Sequence, residues 1–149
     1  MDAATMIRRE IQRLDQWMIR CMTVRGVSLL RVCLGIIFCW FGVLKVLGQS
    51  PVAALVAHTV YWVSPAFFIP FLGLWEIAIG IGLVCKLALR LTLLLFWLQM
   101  AGTFLVLVIR PDTAFLHGNP LLLTLEGEFV IKNLALIAAG VVVGSTVKR

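Results

Sequence analysis

Charge is scarce in this sequence. Only 13% of its 149 residues are Asp, Glu, Lys or Arg, and just 7 are acidic. A water-soluble domain draws about a quarter of its residues from this set, so the chain has too little charge to cover a globule in water. Catalytic signatures are equally sparse. There is no glycine-rich phosphate loop, no nucleophile elbow and no zinc-ligand spacing, and the two histidines, His58 and His117, stand far apart. Cys21, Cys33, Cys39 and Cys85 form no Cys-x-x-Cys pair. None lies in an outer loop, where a disulfide-exchange enzyme would need it, so they read as structural thiols. No catalytic residue and no metal site is expected.

What is abundant is apolar. Hydrophobic residues make up 62% of the chain, with a mean hydropathy of +1.05. A hydrocarbon core about 30 Å thick takes about 20 apolar residues in one helix. The sequence holds four such stretches, at 27–47, 66–85, 89–109 and 126–145. The expectation is an all-α integral membrane four-helix bundle, one membrane domain over 1–149. A net charge of +6 would suit a nucleic acid, yet the basic residues flank apolar spans instead of gathering into a patch with interleaved aromatics. The expected partner is the lipid bilayer, not a nucleic acid. Arg8, Arg9, Arg13, Arg20, Arg25, Lys86, Arg90, Lys148 and Arg149 fall on one side of the spans and Arg110 on the other. The positive-inside rule makes the crowded side cytoplasmic, and four crossings return both termini to it. The first apolar stretch is long enough to span and has no small-residue cleavage site behind it, so it is expected to remain as a helix.

Two further segments are apolar without crossing. Residues 5–22 place Ile7, Ile11, Leu14, Trp17, Met18 and Met22 on one helical face, against Arg8, Arg9, Gln12, Arg13, Gln16 and Arg20. This is the pattern of an amphipathic helix lying in the membrane interface, with a docking helix for a cytoplasmic partner as the alternative. Residues 51–63 are too few to span. Ser50 and Pro51 suggest an N-cap and a first helical position, and Tyr61, Trp62, Phe67 and Phe68 an aromatic belt. A short outer-side helix between the first two spans is expected.

The spans also carry polar side chains: Arg31 and Lys45 in the first, Glu76 in the second, Gln99 and Thr103 in the third, and Glu128, Lys132 and Asn133 in the fourth. An isolated charge at mid-bilayer costs at least about 2.5–3.5 kcal/mol, so these groups are expected to face one another or water. Gly73, Glu76 and Gly80 share a helical face, as do Gln99, Gly102, Thr103 and Val106. Glu128 and Lys132 stand at i,i+4, beside a stripe of Asn133, Gly140 and Gly144 that suits close helix packing. With Lys45 and Lys132 toward the outer ends and Glu76 and Gln99 near the middle, they outline a mixed-charge funnel opening outward, roofed by the 50–63 segment with His58. The candidate ligand-binding set is therefore Arg31, Lys45, His58, Glu76, Gln99, Thr103, Glu128, Lys132 and Asn133. A structural role competes with it: a Lys45–Glu76 or Glu76–Lys132 pair that holds the bundle in register, or a Lys45 that snorkels to the headgroups. His58 then serves as an interfacial anchor, and Glu126 and Glu128 complement the dipole of the last helix.

Arg31-x-x-x-Gly35, Phe41-Gly-Val-Leu-Lys45, Ser64-Pro65 and Gly73-Leu-Trp-Glu76 with Gly80 resemble the DoxX-like membrane proteins. The run Leu125-Glu-Gly-Glu-Phe-Val-Ile-Lys-Asn-Leu-Ala-Leu-Ile-Ala-Ala-Gly140 is similar, more specifically, to the YkgB (RclC-like) inner-membrane branch. The resemblance runs from about Leu30 to Gly144. It implies a four-helix protein of the bacterial inner membrane, linked to oxidative or electrophile stress, with Arg31, Lys45, Glu76, Lys132 and Asn133 in its polar centre. Some relatives are associated with quinone-linked sulfur oxidation or with redox-enzyme complexes, so the resemblance brings in a quinone as cofactor or ligand and a redox protein as partner. Three functions stand as expectations. The pocket binds a small molecule or quinone headgroup; or the chain is a small transporter or proton-linked permeation unit; or it is a noncatalytic subunit that docks a redox partner or assembles as a homo-oligomer.

Overall fold

In hydrocarbon every backbone N–H and C=O must be satisfied within the segment, so long apolar runs fold as helices. The structure, a computed structural model, describes residues 3–147, with side chains from Arg8 onward. The side chain of Ile7 and the basic residues Lys148 and Arg149 lie outside the described residues. Six helices follow one another: α1 (Ala3–Val46), α2 (Ala53–Thr59), α3 (Pro65–Cys85), α4 (Leu89–Ile109), α5 (Pro111–Ala114) and α6 (Leu125–Gly144), with a 3-10 turn at Leu116–Gly118. α1, α3, α4 and α6 are long and apolar enough to cross a membrane. Trp40, Leu74, Leu94, Val108 and Val141 are exposed on their outer faces, which is compatible with a multi-pass membrane protein.

α1 departs from the sequence-based division. Residues 5–22 and 27–47 belong to one uninterrupted helix of 44 residues, about 66 Å long at about 1.5 Å per residue. Hydropathy changes between Met22 and Val27, but the backbone meets no proline there. A single interior glycine, Gly26, weakens a helix by only about 1 kcal/mol, too little to end it. The short outer helix forms, but later than its flanking residues suggest. Gly48 turns the chain through a left-handed φ of +68°, the Ser50 carbonyl accepts from the Ala53 amide at 3.2 Å, and α2 begins after Val52 with no side-chain cap. Ser50 and Pro51 therefore belong to the preceding turn.

Glycines set the closest helix contact. Gly35 and Gly42 of α1 face Gly80 and Gly73 of α3, two turns apart on each helix. A Cβ on Gly42 would stand 2.5 Å from the Gly73 carbonyl oxygen, and one on Gly80 would stand 2.6 Å from that of Gly35. At both crossings, backbone lies directly on backbone. Such close approach is a main source of helix association in lipid, where burial of apolar surface offers no gain. α4 and α6 close the ring against α3 and α1. One half of the bundle, at the α3–α4 turn, is solidly packed by Leu34, Phe38, Ile79, Leu83, Phe96 and Val143, with Gly140 set directly beneath the Phe96 ring.

The two connections of this ring are tightly tied. Lys86 and Ala88 adopt left-handed backbone (φ 56° and 39°), and the Leu87 amide returns to the Gly82 carbonyl at 3.0 Å. At the other end the Thr124 hydroxyl caps α6, accepting from the Gly127 amide at 3.0 Å and donating to the Thr113 carbonyl at 2.5 Å. Arg110 and Asp112 pair beside it at 2.8 Å. The Asp112 carboxyl is held below the usual aspartate range, chiefly by its hydrogen bond from the Arg110 guanidinium.

Candidate functional site

The second half of the bundle is hollow. A cavity of about 330 Å³ lies between α1, α3, α4 and α6 under the α2 segment, lined mostly by apolar side chains, among them Phe38, Phe41, Leu72, Val106 and Phe129. The α2 segment roofs it with Val52, at the N-cap, and with Leu55, Val56 and Thr59, the inward face of an amphipathic helix of about two turns. The side chains on its wall that can hydrogen-bond are Lys45, Thr59, Trp62, Glu76, Gln99, Thr103 and Asn133.

Three of these form a connected group. Lys45 comes from the last turn of α1, and the Gly42–Gly73 contact brings that turn against α3. Its Nζ donates to Glu76 Oε2 at 2.6 Å, with side chains only 6% and 8% exposed. Gln99 of α4 donates from Nε2 to the other carboxylate oxygen at 2.8 Å. The carboxylate is thus matched by one cation and one amide, the arrangement needed to hold an ion pair away from water. Thr103, one turn along α4, donates to the Gln99 carbonyl at 3.0 Å. Asn133 of α6 donates from Nδ2 to the Phe129 carbonyl at 2.9 Å. On the roof, Thr59 donates to the Leu55 carbonyl at 2.7 Å.

Five of the nine sequence-derived candidates therefore meet at one cavity, Lys45, Glu76, Gln99, Thr103 and Asn133. The other four do not line it. Arg31 is buried in the packed half, where its guanidinium donates to the Leu83 carbonyl and, at 2.8 Å, to that of Val84. It satisfies the free carbonyls at the C-terminal end of α3, where a cation is also favoured by the helix dipole. Glu128 and Lys132 pair with each other at 2.9 Å on the exposed face of α6. One residue is about 100° of helix rotation, so Lys132 points out where Asn133 points in, and no Glu76–Lys132 pair forms. His58 is exposed on the outer side of α2. The funnel of mixed charge is, in the structure, an apolar chamber with one neutralised polar wall.

Thr59 is the cavity residue that sequence reasoning missed. Its signal was the i, i+3, i+4, i+7 spacing of Val52, Leu55, Val56 and Thr59, which puts a lone hydroxyl on the inward face of α2. Among the described residues no three His, Cys, Asp or Glu side chains come together as a metal site. The four cysteines are free thiols. Comparison of the chain with known protein families, curated proteins and solved structures finds no match.

Proposed function

We propose that this chain is a multi-pass membrane protein that binds a small molecule with a compact polar head, such as a quinone headgroup, in the chamber beneath α2. The observation that carries this reading is a cavity large enough for a ring-sized ligand, with Lys45, Glu76 and Gln99 as its polar wall. Lys45 supplies a cation and donor, Glu76 holds it in place, and Gln99 orients the ligand. The excess of basic residues at the end away from α2 supports an outward-facing chamber with both termini in the cytoplasm. The DoxX-like resemblance supports a setting in oxidative or electrophile stress in a bacterial inner membrane. Passage through the molecule is disfavoured by the packed half, where Phe38, Ile79, Leu83 and Phe96 fill the path below the chamber.

Gly102 offers a direct test. It lines the chamber at an exposed position, and a Cβ built on it meets nothing within 4 Å, so Gly102→Leu adds bulk at the chamber's open edge without touching the packed half. Native mass spectrometry of protein extracted gently from its own membrane should show a small-molecule adduct on wild type and none on Gly102→Leu. An adduct of equal occupancy on both would remove the chamber as the binding site.

A second reading rests on a separate observation. From Arg8 to Arg25 nearly every residue of α1 is exposed, including Ile11, Leu14, Trp17 and Met22. This half-helix is suited to an anionic lipid surface, or to docking a redox partner as a noncatalytic subunit. Deleting residues 1–22 should then release a co-purifying protein while the bundle survives; undiminished co-purification would defeat the subunit reading.

A further inference from the structure

The chamber's hydrogen-bonding polarity says more about its ligand than its size does. Lys45 and Glu76 cancel in charge at 2.6 Å, so the wall presents a charge of neither sign to a ligand. Each of the four side chains Gln99, Asn133, Thr103 and Thr59 has committed one donor to the protein. Among the described residues the second amide hydrogens of Gln99 and Asn133, two hydrogens of the Lys45 ammonium and the Trp62 indole N–H stay available. Gln99 Nε2 is bonded to Glu76, Asn133 Nδ2 to the Phe129 carbonyl, Thr103 Oγ1 to the Gln99 carbonyl and Thr59 Oγ1 to the Leu55 carbonyl. An amide whose nitrogen is fixed in this way has its oxygen turned the other way. Among the described residues no buried side-chain oxygen is left without a partner. Gln99 Oε1 and Asn133 Oδ1 accept no hydrogen bond among the described residues, and both residues line the chamber.

We infer that the chamber selects an uncharged ligand bearing hydroxyl groups on an apolar body, with Gln99 and Asn133 as its specificity-determining acceptors. This deepens the binding reading above and rests on it. A hydroxyl donates to an amide oxygen and still accepts from the Lys45 ammonium. A carbonyl or an ether only accepts, and leaves the two amide oxygens unpaired in an apolar chamber, where an unmade hydrogen bond weighs most. A carboxylate or phosphate would face those oxygens with its own charge unmatched. Of a ring headgroup's two redox forms, the dihydroxy form fits better than the dicarbonyl.

The test is isothermal titration of the full-length protein in lipid nanodiscs, with empty discs subtracted, using 4-propylphenol, 4-propylanisole and 4-propylbenzoate. The three share an apolar body and differ in head: donor and acceptor, acceptor only, and anion. The expected result is that the phenol binds about tenfold more tightly than the anisole, the size of one good hydrogen bond, and that the benzoate binds least. Asn133→Leu should shrink the phenol preference, and it spares the fold because Asn133 bonds only a carbonyl of its own helix. Equal binding of phenol and anisole, abolished by Gly102→Leu, would overturn the donor inference and leave the chamber as a binding site. Strongest binding by the benzoate would overturn the uncharged-ligand inference. Absence of binding by all three, or binding that Gly102→Leu leaves unchanged, would overturn both.

Discussion

Arg31 and Lys45 are buried cations on the same helix, yet the two halves of the bundle treat them differently. At the packed end Arg31 meets no acid; its guanidinium spreads over the last carbonyls of α3. At the hollow end Lys45 meets a carboxylate that is itself held by Gln99. Arg31 finishes a helix end that would otherwise leave polar groups bare. Lys45, although it too stands in the last turn of its helix, turns to Glu76, and the two form a polar wall beside empty space. On the proposed reading, the buried charge that borders a void belongs to a binding site, and the one that closes a backbone end is a structural fastening.

The largest effect that separates the halves should come from glycine. Gly80→Val drives a side chain into the Gly35 backbone and Cys39, and the bundle should fail to assemble, seen as loss of the monodisperse peak in size exclusion. Gly102→Leu, into open space, should keep that peak and melt at or slightly above the wild-type temperature, since leucine favours a helix over glycine by up to about 1 kcal/mol. Equal damage from both would erase the distinction between packed and hollow halves.

Next in size is the ion pair. Lys45→Ala strands a buried carboxylate and should cost about 3–5 kcal/mol in thermal or denaturant unfolding. Lys45→Ala/Glu76→Gln together should recover a large part of that loss, because residues in one network are not additive. A double variant as unstable as the sum of its singles would mean that the two groups act independently.

Arg31→Ala should be milder, about 1.5–3 kcal/mol, with ligand affinity unchanged. A loss of affinity would return Arg31 to the site. The smallest effect belongs to the exposed Arg110–Asp112 pair. The folded-state pKa of Asp112 is depressed, so its contribution is complete above the ordinary aspartate value and fades as pH falls through the lowered one. Acidification through that range should move the Thr113 amide resonance and lower the melting temperature only slightly, because an exposed pair contributes little.

The sequence made the spans legible because a hydrocarbon slab imposes length and composition directly. The third, 89–109, matches α4 to the residue, and the second and fourth match within a residue or so. It mis-stated α1, because hydropathy records where the membrane changes and not where a helix ends. Helical spacing correctly grouped Glu76 with its glycines, and Gln99 with Gly102 and Thr103. What it left open was the partner of each charge. Whether Arg31 meets an acid or a carbonyl, and whether Glu76 meets Lys45 or Lys132, depends on the rotation of one helix against another. The sequence placed a funnel beneath the 50–63 roof, but its size and its mostly apolar lining were illegible, because a void has no residues of its own. The chamber exists where Gly102 leaves α4 without a side chain beneath a short roof helix.

The paired glycines of α1 and α3 act as a vernier. Two backbone crossings on each rod fix both rotation and axial offset, and no side chain intervenes to absorb an error. A single residue inserted between Gly42 and Lys45 would turn the end of α1 by about 100° and advance it by about 1.5 Å. Both crossings would survive, while the ammonium swung off its carboxylate. An insertion between Gly35 and Gly42 would instead put the two crossings out of phase. Substitution and length change thus strike different properties here, and tolerance of indels in this stretch should be far lower than in the largely exposed Arg8–Arg25 half of the same helix.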